Sequence, residues 1–133
     1  MSVGRIYFAP GQSQHSMWLV VSETRERMLE ALKLFNGEEP DPDTMAATCF
    51  DFDRRDGDCG LLHFNRADLS RRVIAHECSH AALHWVNQYV MPTDEVRAMS
   101  DEDQADYFDE CLATVVETLF AQIDAALFPE AKP

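Results

Sequence analysis

At 133 residues, with a hydrophobic fraction of 46% spread along it, the chain is long enough to bury the core of one domain and too short for two. Its 24 acidic and 11 basic residues leave a formal charge of −13, which repels phosphate backbones and anionic lipid and so argues against direct nucleic-acid or membrane binding. The same acidity can favour a basic polypeptide or mimic nucleic acid, and otherwise it is solvated surface.

The first residues, Met1-Ser2-Val3-Gly4-Arg5-Ile6-Tyr7-Phe8, lack the apolar centre of a signal peptide, and no later apolar run approaches membrane-spanning length. A soluble, cytoplasmic protein is expected. Cys49, Cys59, Cys78 and Cys111 form no C-x-x-C pair and are expected to be reduced, a Cys49–Cys59 disulfide being the alternative for an exported protein.

Residues Gly4 to Ala9 and Met17 to Ser22 are rich in β-branched and aromatic types and flank the turn-forming Pro10-Gly11-Gln12-Ser13-Gln14, so they read as a strand pair. From Glu23 to Phe35, the spacing of Met28, Leu29, Leu32 and Phe35 predicts an amphipathic helix, with Ser22 as cap and Asn36-Gly37 as stop. Met45 to Asp53 and Cys59 to Asn65 then predict a hairpin around Asp56-Gly57-Asp58. Its register would set Phe50 opposite Phe64, Phe52 opposite Leu62 and Asp51 opposite His63. Asp51, Asp53, Asp56 and Asp58 lack the spacing of a calcium loop and read as a solvated hairpin tip. Asp68 would cap a helix from about Leu69 to Gln88. After a loop or single turn at Thr93 to Met99, Ser100 and Asp101 cap a last helix to about Leu127, stopped by Phe128-Pro129. The fold class is α+β, a short antiparallel or mixed sheet packed on three helices.

The second of those helices carries His76-Glu77-Cys78-Ser79-His80. Positions four apart on a helix project from one face about 6 Å apart along the axis, so the two imidazoles can bind one metal ion. Glu77 stands beside them, able to hold a metal-bound water, which is why His-Glu-x-x-His reads as a zinc hydrolase signature. Shuffling this composition produces the motif in roughly one or two chains per hundred, so its setting must decide. The preceding strand feeds directly into the helix, putting a sheet edge, where an extended peptide can lie, next to the metal.

A third protein ligand is needed before water completes a catalytic zinc site. His84 fails on a continuous helix, being about 12 Å along the axis from His76. It is expected on a pocket wall or an interface. The last helix offers Glu110, one turn before the small Ala113, with Asp106, Asp109 and Glu117 as alternatives within two turns.

At this point the pattern resembles the gluzincin division of the zincin metallopeptidases. Its brevity makes it most similar to minimal intracellular members such as the ImmA/IrrE-like peptidases and related small phage and bacterial zincins. The resemblance covers roughly Leu61 to Phe120. It implies a zincin-like domain with His76, His80 and Glu110 as zinc ligands and Glu77 as general base. The stabiliser of the reaction intermediate is not identified by it; His84, Tyr89 and Tyr107 are available.

Two functions follow as expectations. One is a zinc-dependent peptidase acting on a polypeptide substrate. The other is a non-catalytic protein of the same fold, whose acidic surface binds a basic protein partner or mimics nucleic acid. A zinc ion that only staples the helices is a third use of the same motif.

Overall fold

The computed structural model of the chain describes residues 2–9, 15–50 and 58–129. Among them the elements run β1 (Ser2–Tyr7), β2 (Ser16–Ser22), α1 (Arg25–Asn36), β3 (Ala46–Phe50), β4 (Asp58–Asn65), α2 (Arg71–Trp85), α3 (Asp94–Arg97) and α4 (Asp101–Leu127), with a π-helical turn at Val86–Val90 extending α2. The fold is α+β. One mixed sheet has the strand order β1-β2-β4-β3: β1 and β2 are antiparallel, β2 and β4 parallel, and β3 closes the edge antiparallel to β4.

Alternation along the strands divides the apolar residues between two faces. Ile6, Met17, Leu19, Val21, Leu62 and Phe64 pack with Ile74, Cys78, Ala81 and Ala82 of α2 and with Val115, Leu119 and Ile123 of α4. On the opposite face Cys49 meets Met28 and Leu32 of α1. The sheet is therefore the middle layer between α1 and the α2–α4 pair, which buries it on both sides. All four cysteines are free thiols. No helix of the described residues is long and apolar enough to cross a membrane.

Local chemistry moves several boundaries from those expected. The α1 cap is Thr24, whose hydroxyl accepts the Arg27 N–H at 3.2 Å, and Gly37 ends the helix at φ 73°, a left-handed conformation that suits a residue without Cβ. Ser22 is turned into the protein instead, 2.6 Å from His63 Nε2. Nor does Asp68 cap α2. Arg25 grips it through two hydrogen bonds of 2.7 Å, while Ser70 accepts the Val73 N–H and starts the helix. That fork, with Asn65 donating to the same carboxylate, holds Asp68 below the usual carboxylate range.

The β3–β4 register differs by four residues from the expected one: Phe50 pairs with Gly60 and Ala46 with Phe64. An even shift preserves which side chains share a face, so the alternation alone does not distinguish the two registers. Gly60 distinguishes them. It adopts φ 127°, and a Cβ there would stand 1.9 Å from the Cys49 carbonyl oxygen, so only glycine lets β3 come this close. Asp58 is likewise no solvated tip. It is buried, accepts the Trp18 indole N–H at 2.9 Å and the Gly60 N–H at 3.1 Å, and so anchors the start of β4. The rest of the expected tip, with Asp51, Phe52, Asp53 and the Asp56-Gly57 turn, lies outside the described residues, as does the Pro10 to Gln14 turn.

Replacing Gly60 with Ala is expected to lower stability by at least about 2 kcal/mol, read from the urea midpoint, because positive-φ strain and a backbone clash act together. A second expectation concerns acid. Burial lowers the His63 pKa from 6.5 to about 4. A folded-state value below the unfolded one means that the unfolded chain takes up the proton first. The contribution of His63 to stability is then constant above pH 6.5 and is lost between pH 6.5 and 4, by roughly 3 kcal/mol. Denaturation of metal-free protein across that window should show the slope, and His63→Gln should remove most of it.

Candidate metal centre

The rotational setting of α2 follows from its small and apolar residues. Ile74, Cys78, Ala81 and Ala82 are fully buried against the sheet and α4, and at about 100° per residue this leaves His76 and His80 on the far side of the helix, both exposed. Their Nε2 atoms lie 3.1 Å apart. Two nitrogens each about 2.1 Å from one ion at a tetrahedral angle stand about 3.4 Å from one another, so the two rings already have the spacing of a chelating pair.

Glu77 falls on the border between the buried and the exposed arcs. It is only 7% exposed. Its carboxylate Oε2 is 3.1 Å from the Thr48 hydroxyl on β3, which also reaches the Glu77 carbonyl oxygen at 3.3 Å. The edge strand thus orients the acid. Among the described residues, His76, Glu77 and His80 form the group whose ligand atoms all lie within 4.8 Å of one another. The two imidazoles suit a divalent ion, with the Glu77 carboxylate beside it, placed to engage a solvent molecule bound there.

A cavity of about 570 Å³ opens beside this group, lined by His76, Glu77, Ser70, Arg72 and Val73 of the α2 segment and by Asp43, Met45 and Ala46 leading into β3. The buried acid thus borders a solvent-filled space next to the histidine pair. No family model, curated protein or solved structure matches the chain.

The remaining candidates lie elsewhere. Glu110 is exposed on α4 and is not a member of the His76–Glu77–His80 group. It lines a separate, largely apolar cavity of about 250 Å³ with Phe8, Trp85, Val90, Tyr107 and Val115. The reason is the level at which the two helices cross. Arg71 pairs with Asp124 at 2.7 Å, whereas Glu110 shares its cavity with Trp85 and Val90, so α2 and α4 run antiparallel. Residues near 115 to 119 stand level with the histidines, and those facing inward are the buried Val115 and Leu119. Glu117 is at that level but exposed, and Asp106 and Asp109 lie further towards the other end, also exposed.

His84 packs at a tilt against Phe50 of β3, ring centroids 4.2 Å apart, and lines neither of the two cavities described. Tyr89 stacks on His15 at 4.2 Å, and Tyr107 lines the second cavity; neither residue lines the cavity beside the histidine pair. Cys78, inside the motif, faces the core, and burial with Glu77 nearby pushes its thiol up to about 12, so it offers no thiolate. Thr48 and Arg72 are the site residues that sequence reasoning missed. A period-two reading of β3 does put Thr48 on the face shared with Phe50, but only the packing of that face on α2 gives it a role.

His76→Ala and His80→Ala are each expected to weaken zinc binding about 100-fold or more, measured by competition with a chromophoric chelator. In the same assay Glu110→Ala should leave affinity within about twofold, since its carboxylate sits in the other cavity.

Proposed function

We propose that the chain is a zinc-dependent peptidase, a small zincin-like enzyme of the cytoplasm. The observation that carries the reading is the placement of Glu77: buried, oriented by Thr48, beside both histidine nitrogens, and on the wall of the adjoining cavity. A metal that merely stapled helices would have no use for an acid held at that point.

His76 and His80 would hold the ion. When bound, zinc lowers the pKa of a coordinated water to about 7 and polarises a carbonyl. Glu77 then serves as general base: its carboxylate takes the proton from the attacking water and delivers it to the leaving amine. Thr48 keeps one carboxylate oxygen aligned for both transfers. The free edge of β3 offers backbone groups along which an extended peptide can add as a further strand, with its side chains entering the cavity. Free thiols throughout fit a reducing compartment.

Glu77→Gln keeps the shape and the Thr48 contact while removing the base. It should retain zinc and lose at least about a thousandfold in the rate of peptide cleavage, followed by mass spectrometry on a diverse peptide library. Unchanged turnover in that variant rules the mechanism out. The charge of −13 favours one rival, a non-catalytic protein that captures a basic partner. Salt-sensitive capture of a basic protein together with no cleavage by the zinc-loaded wild type would establish that rival instead.

A further inference from the structure

The cavity beside the histidine pair holds one cationic side chain, Arg72, and among the described residues this arginine makes neither an ion pair nor a hydrogen bond. Its neighbours are committed: Arg71 to Asp124, Arg25 to Asp68 and Arg66 to Glu23. Arg72 is exposed on the cavity wall and pairs with neither of the two carboxylates that line the same cavity, Asp43 and Glu77, so its guanidinium is open to a carboxylate from outside. The first turn of α2 contains no acid to offset it. Of the two acids in the cavity, Asp43 interacts with Arg25 and Glu77 is hydrogen-bonded by Thr48.

Building on the peptidase reading, we propose that Arg72 recognises a carboxylate of the substrate and fixes where the chain is cut. Arg72 lies one turn before His76 and two before His80, about 6 and 12 Å along the axis, so its guanidinium stands on the order of 10 Å from an ion between the two histidines. An extended peptide covers that in about three residues at 3.3 Å each. The substrate therefore carries its carboxylate two or three residues from the scissile bond. The group is either an acidic side chain or the free C-terminus, and a planar fork of donors matches both. Met45, Ala46 and Val73 supply apolar wall between the two points, suited to an uncharged residue there. Arg72 is a specificity residue in this scheme and takes no part in proton transfer.

The test uses peptidyl hydroxamates, which anchor on zinc without turnover, titrated calorimetrically into zinc-loaded wild type and Arg72→Gln. One matched pair carries Asp or Asn as the second residue from the hydroxamate; the other ends at the third residue in a carboxylate or a carboxamide. Wild type should bind the carboxylate member of at least one pair roughly tenfold more tightly, the pair concerned identifying the source, and Arg72→Gln should bring the ratio to within about twofold. Arg72→Glu should reverse it in favour of a Lys-bearing analogue. Equal or undetectable binding of both members by wild type overturns the proposal, as does a preference that survives in Arg72→Gln. Cleavage of a peptide library by the same zinc-loaded protein judges the peptidase reading separately. Carboxylate preference without any cleavage leaves the Arg72 site standing and the peptidase reading refuted, while cleavage with no acidic enrichment near the cut does the reverse.

Discussion

The packing of α2 on the sheet through Ile74, Cys78, Ala81 and Ala82 is the constraint on which the rest of the site depends. Three of those four residues are small, so the helix axis lies close to the strands and has little freedom to rotate. A rotation of one residue, about 100°, would carry a histidine into the core or lift Glu77 away from β3. Because the core tolerates neither, the outward pair and the bordering acid are fixed by apolar residues that do no chemistry themselves.

β3 is the second support, and it depends on a different device. Its position is set by the close approach of Cys49 to Gly60, which brings Thr48 within reach of Glu77 and Phe50 within reach of His84. The edge strand is thus both a wall of the cavity and the splint of the acid. Among the described residues β3 is the outer strand of the sheet, and an edge of this kind is where a further strand can add.

Much of this was legible before the structure. Helical periodicity located α1, α2 and α4 to within a few residues, and the strand segments fell where β-branched and aromatic residues alternate. The caps were harder to assign, because Ser22 and Asp68 have the right chemistry for caps but are claimed by His63 and Arg25, partners about forty positions away. Register was harder still. Two pairings of β3 with β4 bury the same faces, and the deciding contact at Gly60 is a backbone approach that no pattern of side chains reports. For the site, the helical spacing of His76, Glu77 and His80 carried its own geometry. The expected reach of Glu110 did not, since it requires knowing at what level α4 crosses α2, and that is a property of the whole core.

The hydrogen bond between Thr48 and Glu77 spans 29 positions in sequence, whereas the two histidines are only four apart. Any nascent stretch of this helix that forms a single turn can chelate a metal, but the acid acquires its aligned orientation only after β3 has paired and the sheet has received α2. On the peptidase reading, metal uptake and hydrolytic competence would therefore belong to different stages of the protein's life. A chain still emerging, or locally unfolded, could carry zinc without being able to cut its neighbours, and the fold itself would act as the safety catch.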